Sequence, residues 1–206
     1  ALKFGSFTLK SGRVSPYFFN AGLISTGPLL NSLCTAYAHT IAKALSASQL
    51  PEFDVLFGPA YKGISLAAVT AVLLHTQYQI EVGFAYDRKE AKDHGEGGRM
   101  VGVPVAGKRV LILDDVMTAG TAVRGVLELI RQAGGQAIGV VMALDREEIG
   151  HEGRSAVKEL EVELGGEGRV QAILRMRDLI SWLKDNGRHE DIERMQAYWE
   201  QFGVKE

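Results

Sequence analysis

The 206-residue sequence contains a single cysteine, Cys34, and only five prolines. One cysteine cannot form an intrachain disulfide, which is typical of a reducing compartment, and we predict a cytoplasmic location. No Cys–His motif surrounds Cys34, so we expect a small buried helical residue rather than a nucleophile. Few prolines and 46% apolar residues exclude a Pro-rich linker and a disordered tail protein.

Two further absences exclude classes of partner. The longest apolar runs, such as Ala137–Leu144, fall far below the ~18 residues that a membrane span requires, so we expect no membrane partner. A surplus of basic residues is also missing, since 23 Lys and Arg stand against 25 Asp and Glu. Proteins that bind nucleic acid usually carry such a surplus, so we expect no nucleic acid partner, although local basic patches remain open.

Glycine is the residue type in excess. It occupies 24 of the 206 positions, a larger share than the ~7% that is usual in globular proteins. These glycines follow no Gly-X-Y period, which excludes a collagen-like chain. We therefore expect them in turns and loops, some of which would approach a ligand.

From about residue 53, short apolar runs alternate with amphipathic helical runs. Val110–Leu113 is a continuous aliphatic run, as expected of a strand covered on both faces, and Ile80–Tyr86 also predicts a strand. Thr121–Ala133 has helical spacing and ends at two glycines. This alternation favours an α/β fold with a mainly parallel central sheet flanked by helices.

The first thirty or so residues lack a long period and predict a small N-terminal hood outside the sheet. We expect residues 1–52 to form this hood and a lead-in helix. Residues 53–206 would then form the α/β core with its C-terminal helices, and the two parts would make one compact unit.

Two adjacent carboxylates, Asp114 and Asp115, follow the apolar run Val110–Leu113, and a Thr/Gly turn then opens a helix. In open α/β sheets ligands bind at the carboxyl ends of strands, and the first turn of a helix attracts phosphate. Carboxylates can accept hydrogen bonds from sugar hydroxyls and help hold Mg²⁺ through its waters. The string indicates a ligand with a diol and a phosphate; the alternative is a capped strand end.

The segment Val110–Ala122 resembles the signature of the type I phosphoribosyltransferases, which bind 5-phosphoribosyl 1-diphosphate (PRPP). The resemblance implies the type I phosphoribosyltransferase fold. It also implies that Asp114 and Asp115 hold the ribose diol, and Mg²⁺ largely through water and PRPP. The 5′-phosphate would lie against Val116, Met117, Thr118, Ala119, Gly120, Thr121 and Ala122.

The charged segment Tyr86–Gly98 follows the predicted strand, and by itself is typical of a solvated loop. Its sequence, however, resembles the mobile catalytic loop of the orotate phosphoribosyltransferase family. That resemblance implies a homodimer in which the lid Arg88–Gly98 reaches the neighbouring active site. Asp87 stands where many relatives have Asn, a flanking position at which we do not expect the difference to abolish activity. The lid residues expected to bind pyrophosphate and assist catalysis are Arg88, Lys89, Lys92 and His94, with Lys92 affecting the rate most.

Three more segments resemble the same family, namely Phe7–Asn20, Phe57–Gly63 and Ala143–Arg146. Phe7–Asn20 resembles its hood, and Phe57–Gly63 resembles its pyrophosphate turn, which often contains a cis non-proline peptide. The resemblance implies PRPP contacts from Lys10, Tyr61 and Lys62, and orotate contacts from Lys10, Phe18, Phe19, Thr118 and Arg146. A guanidinium such as that of Arg146 suits a carboxylate. The alternatives are core packing for the phenylalanines and a surface position for the arginine.

The implied reaction is the Mg²⁺-dependent transfer of the phosphoribosyl group from PRPP to orotate, which gives orotidine 5′-phosphate and pyrophosphate in UMP biosynthesis. The resemblance also implies the stand-alone microbial or fungal form. Family members usually have a further helix ahead of the segment that corresponds to Leu2–Gly5, and the sequence departs from the family pattern there. Two alternatives stay open: a phosphoribosyltransferase for a purine or uracil, and a PRPP-sensing regulator that binds nucleic acid.

Overall fold

The computed structural model describes residues 1–9, 11–92, 98–117, 120–150 and 153–205, and only the backbone of residues 91, 92, 98 and 121. The strands and helices are β1 (Leu2–Thr8), β2 (Val14–Phe19), α1 (Gly27–Ser46), β3 (Val55–Gly58), α2 (Lys62–Tyr78), β4 (Gly83–Lys92), β5 (Gly98–Gly102), β6 (Arg109–Met117), α3 (Thr121–Gln132), β7 (Gln136–Asp145), α4 (Ala156–Leu164), β8 (Val170–Arg175), α5 (Met176–Asp185) and α6 (His189–Phe202).

In the described part of the chain, the central sheet has six strands in the order β5-β4-β3-β6-β7-β8. Strand β5 pairs antiparallel with β4, and the other neighbours pair parallel. This arrangement confirms the predicted α/β fold with a mainly parallel sheet. Among the described residues, no helix has both the length and the apolar character needed to cross a bilayer.

The sheet is covered on both faces, as the continuous apolar run in β6 predicts. Leu111 and Leu113 pack with the helices α1 and α2 in one core cluster. Val110 and Ile112 point to the other face, where they pack with α3 and α4. Successive side chains of a strand point to opposite faces, so a strand buried on both sides needs an apolar residue at every position.

The N-terminal hood is an antiparallel hairpin of β1 and β2. Tyr17 of β2 is fully buried in a third cluster with Leu144 of β7 and with residues of α5 and α6. The hairpin therefore packs beside the carboxyl end of β7, next to the place where the sequence predicts ligands.

The predicted boundaries of β4 are wrong. We expected a strand over Ile80–Tyr86 and a loop after it, but β4 runs from Gly83 to Lys92. The strand continues beyond the end of β3 because β5 pairs with it, and Asp87 lies opposite Met100 in that pairing. The first part of the predicted lid is therefore an extended strand.

Candidate active site

The acid pair lies at the carboxyl end of β6, where the sequence predicted it. Asp115 accepts hydrogen bonds from Nζ of Lys62 at 2.8 Å and from the backbone N–H of Val116 at 3.0 Å. Asp114 accepts from the backbone N–H of Asp115 at 2.9 Å through Oδ1. Both carboxylates stay partly accessible, so they can accept hydroxyl groups of a ligand.

The two acids differ in their surroundings. Burial, together with the negative charge of Asp115, raises the pKa of Asp114 to about 6. The hydroxyl of Tyr37 in α1 donates to the backbone carbonyl of Asp114 at 2.7 Å, which fixes the strand end from below. Tyr37 is fully buried, and that burial raises its pKa well above the usual range.

The β3–α2 turn, Pro59–Tyr61, lies beside the acid pair. The peptide bond between Ala60 and Tyr61 is cis, a question that the family resemblance left open. Gly58 precedes the turn, and a Cβ on it would lie 2.1 Å from the carbonyl oxygen of Gly63. Only glycine permits this close approach of the two backbone segments. The Tyr61 side chain is 72% exposed, so it is accessible to a ligand.

The loop after β6 leads into α3. Met117 is buried and Val116 packs against the third cluster. Gly120 adopts a left-handed conformation with φ of 75° and forms the N-cap of α3, whose first turn contains no acidic residue. The free N–H groups of such a helix start attract anions. Ala122 is exposed in this first turn.

Several predicted contacts lie outside what the structure describes. Lys10, His94, Thr118 and Ala119 are not among the described residues, and the side chains of Lys92 and Thr121 are not described. Of the remaining lid cations, Lys89 is exposed and Arg88 is half-buried on β4. Their predicted roles remain predictions.

Arg146 follows β7 and is not the surface residue that a lone arginine at a strand end suggests. Its side chain is 3% exposed, and its guanidinium lies 4.3 Å from the ring centre of Tyr17. Nε donates to Glu148 at 2.6 Å, and Nη2 donates to Ser15 at 2.9 Å. Within the described part of the chain, Nη1 has no hydrogen-bond acceptor, so a ligand carboxylate could receive that donor.

Glu148 is the centre of this network and was missed by the sequence reasoning. Its second oxygen accepts from Nη1 of Arg13 at 3.0 Å, and Tyr198 donates to Oε1 at 2.7 Å. These partners come from the hood and from α6, and Arg13 lies 135 positions away. No spacing rule connects such distant residues, so no local signal could have identified the set.

The two phenylalanines of β2 have different environments. Phe18 is 38% exposed, and its ring centre lies 5.7 Å from that of Phe7. Phe19 is half-buried and packs against both the first and the third core clusters. The core-packing alternative therefore holds for Phe19, while Phe18 stays partly exposed, with its backbone paired to Lys3 of β1.

The site thus combines two adjacent carboxylates, a turn that is preceded by a glycine and followed by a lysine, and a helix start that attracts anions, all at the carboxyl ends of the strands. Such a combination can hold a sugar that carries phosphates at both ends.

The chain is similar in sequence to known proteins. The family model for the phosphoribosyl transferase domain matches residues 32–164. Orotate phosphoribosyltransferase of Acinetobacter baumannii (strain ACICU) is 50% identical over 98% of this chain and 90% of its own length. The enzyme of the same name from Methylococcus capsulatus is 51% identical over 98% of this chain and 92% of its own length.

Solved structures agree with these relatives. Orotate phosphoribosyltransferase of Francisella tularensis superposes with a TM-score of 0.80 at 38% identity, over 98% of this chain and 94% of that one. The Mycobacterium tuberculosis enzyme in complex with PRPP gives a TM-score of 0.59 at 20% identity, over 84% of this chain and 88% of that one, which shows the fold alone. With half of its residues shared along nearly its whole length, the chain belongs to the orotate phosphoribosyltransferases, a family of pentosyltransferases.

Proposed function

We propose that the protein transfers the phosphoribosyl group of PRPP to orotate in a Mg²⁺-dependent reaction, releasing pyrophosphate and forming orotidine 5′-phosphate for UMP biosynthesis. One observation carries this proposal. Lys62, which follows the β3–α2 turn, lies 2.8 Å from the acid pair of β6, so a single ligand can contact both. PRPP has the matching groups, a ribose diol beside a pyrophosphate, and the M. tuberculosis relative was solved with PRPP bound.

Different residues of the site bind different groups of PRPP. Asp114 and Asp115 accept the hydroxyls of the ribose, since carboxylates cannot favourably contact phosphate. The loop Val116–Ala122 receives the 5′-phosphate at the start of α3. Tyr61 and Lys62 contact the pyrophosphate, and Lys10 from the hood also contacts PRPP. This assignment places the reacting C1 carbon between the acid pair and the turn.

The donor set fits Mg²⁺. Within the described residues, no group of three or more His, Cys, Asp or Glu side chains could hold a metal ion. Mg²⁺ does not require such a cage, because it keeps several waters and is often bound by one or two carboxylates together with substrate phosphates. Asp114 and Asp115 would hold it largely through water and PRPP. When bound, Mg²⁺ supplies neutralising charge for the departing pyrophosphate.

Orotate would bind under the hood. Its carboxylate faces Arg146, its ring lies against the backbone of Phe18 and Phe19, and Lys10 and Thr118 complete the contacts. The buried guanidinium of Arg146 is already oriented by Glu148 and Ser15, so little side-chain freedom is lost when orotate binds.

The remaining groups act on the leaving pyrophosphate. Arg88, Lys89, Lys92 and His94 would gather around it, and Lys92 would act mainly on the transition state, where negative charge develops. We propose a homodimer in which the segment Arg88–Gly98 serves the neighbouring site, and closure that excludes water from PRPP. The reducing-compartment pattern of one cysteine supports a cytoplasmic enzyme.

The test is a direct assay. The ultraviolet absorbance of orotate is followed with PRPP and Mg²⁺, and we expect orotate to be consumed only when both are present. The same assay with adenine, hypoxanthine and uracil is the specificity control. No consumption of orotate at micromolar enzyme would contradict the proposal, and turnover of one of the other bases would instead favour that substrate.

A further inference from the structure

We propose that Asp87 is a positioning residue that holds the β3–α2 turn in the shape that binds the pyrophosphate of PRPP. This inference rests on the proposed function, because it concerns the same site. It arises from one contact: Oδ1 of Asp87 accepts a hydrogen bond from the backbone N–H of Ala60 at 2.6 Å.

The contact lies where the backbone pairing of two strands ends. Gly58 is the last residue of β3 and lies opposite Tyr86 of β4. Asp87 is the next residue of β4, and its backbone lies opposite Met100 of β5. The carboxylate of Asp87 therefore connects Ala60 to β4 just beyond the last backbone pair of β3 and β4, where the chain has already left β3.

Asp87 does not bind pyrophosphate itself. Its side chain is only 5% exposed, and a carboxylate would repel an anion. It instead satisfies the amide of Ala60, which is the first residue of the cis peptide. Loss of this acceptor would leave a partly buried N–H without a partner, and the turn would have to move to hydrate it.

The turn is thus fixed from two sides. On one side Asp87 joins it to β4, the strand that carries Arg88 and Lys89. On the other side Lys62 joins it to Asp115 of β6. The hydrogen bond between Ala60 and Asp87 therefore sets the distance between the cations of β4 on one side and the cation of Lys62 on the other. Both groups are expected to contact the same pyrophosphate, so this distance affects PRPP affinity.

Three substitutions test this role. Asp87→Ala removes the acceptor, Asp87→Asn keeps an acceptor oxygen without the charge, and Asp87→Glu keeps the charge but displaces the acceptor by one methylene. Asp54 offers a control, because its carboxylate accepts a hydrogen bond from the backbone N–H of Arg109 at 2.8 Å. Asp54 lies just before β3, at the amino ends of the strands, whereas the site lies at their carboxyl ends. Asp54→Ala therefore removes a hydrogen bond of the same kind away from the site, together with the contacts of Asp54 to Nε and Nη2 of Arg109.

The dissociation constants of PRPP and of inorganic pyrophosphate, each with Mg²⁺, are measured by calorimetry, and thermal unfolding is followed for every variant. We expect Asp87→Ala and Asp87→Glu to raise the dissociation constants of both ligands by about tenfold, which is the scale of one lost hydrogen bond. Asp87→Asn should bind within about threefold of the wild type, because the hydrogen bond survives. Asp54→Ala should lower the unfolding temperature and leave both dissociation constants unchanged.

Folded Asp87→Ala protein with wild-type PRPP affinity would overturn the proposal, as would an Asp87→Asn variant as weak as Asp87→Ala. If Asp87→Ala does not fold, the comparison of Asp87→Glu with Asp87→Asn decides in the same way. These measurements need no turnover. A wild-type protein that binds PRPP but leaves orotate unchanged contradicts the proposed function, while the binding constants still decide the role of Asp87.

Discussion

Nζ of Lys62 lies 2.8 Å from Oδ2 of Asp115, and this ion pair joins the start of α2 to the end of β6. The lysine side chain is 51% exposed and that of the aspartate 16% exposed. A pair with one partner in water contributes little to stability, about 1 kcal/mol or less. The structure therefore holds Lys62 near the expected site of the pyrophosphate. Breaking its ion pair with Asp115 when PRPP binds costs little free energy.

Lys62→Met should weaken PRPP binding without much effect on folding. The variant loses the cation expected at the pyrophosphate, so we expect the KM for PRPP to rise about tenfold, while the free energy of unfolding changes by less than about 1 kcal/mol. Steady-state kinetics and urea unfolding measure the two effects. Lys43→Met, at an exposed lysine of α1, is the control and should change neither quantity. A stable Lys62→Met protein with an unchanged KM contradicts this role.

The pH dependence of PRPP use should report Asp114. Its pKa is raised to about 6 by burial and by the charge of Asp115. Below that pH the carboxyl is neutral and accepts hydrogen bonds from the ribose hydroxyls more weakly than the carboxylate does, so kcat/KM for PRPP should fall as the pH drops through about 6. The same shift makes the folded state more stable at lower pH: this contribution is complete below the ordinary value of 3.8 and is lost as the pH rises through about 6.

Two substitutions shift this acid limb in opposite directions. Asp115→Asn removes the negative charge that raises the pKa of Asp114, so the limb should move to lower pH. Lys62→Met removes a positive charge that lowers that pKa, so the limb should move to higher pH. An acid limb that stays in place in both variants would assign the titration to a different group.

The network around Arg146 should divide into a strong and a weak half. Glu148 and Arg146 are both 3% exposed, so Glu148→Ala leaves a buried guanidinium without its carboxylate and should cost about 3–5 kcal/mol of unfolding free energy. Arg13 is partly exposed, and Arg13→Ala should cost about 1 kcal/mol or less. Denaturant unfolding of the two variants measures the free energy that each one loses. Equal losses would show that Glu148 stabilises the protein through its contact with Arg13 of the hood and not through Arg146.

Gly58→Ala should disrupt the β3–α2 turn. A Cβ there would lie 2.1 Å from the Gly63 carbonyl oxygen and 2.8 Å from Cβ of Ala67, so the backbone must shift. We expect a loss of roughly 3 kcal/mol of stability, together with weaker PRPP binding. Gly125→Ala is the matched control: nothing lies within 4 Å of its added Cβ, and alanine in a helix should stabilise by about 0.5–1 kcal/mol. Thermal unfolding and PRPP calorimetry distinguish the two, and a Gly58→Ala protein as stable as the wild type would contradict the close approach.

A mixed dimer tests whether the lid serves the partner. Lys92→Ala alone should lower kcat by about 10²-fold or more, with a smaller loss of PRPP affinity. Asp115→Asn should impair the other half of the site. If the lid crosses between subunits, mixing the two variants creates one intact site in each heterodimer, and part of the activity should return. The assay needs subunit exchange shown by differently tagged chains; exchange without recovery would place the lid over its own subunit.

The sequence by itself determined the parts of this protein whose signals are local. The apolar run of β6, the acid pair after it and the glycine that opens α3 are contiguous, and the structure places them as a strand end and a helix start. Periodicity likewise determined the α/β class, because burial on two faces requires an apolar residue at every position of a central strand.

Only the tertiary structure decided which distant residues meet. The extension of β4 to Lys92 depends on its pairing with β5, and charged residues give no apolar signal for such a strand. Asp87 reads as part of a charged run, yet folding buries it against Ala60, 27 positions away. Glu148 and Arg13 come together over 135 positions. Contacts of this kind depend on how sheet, hood and helices pack, and a linear pattern carries no information on that packing.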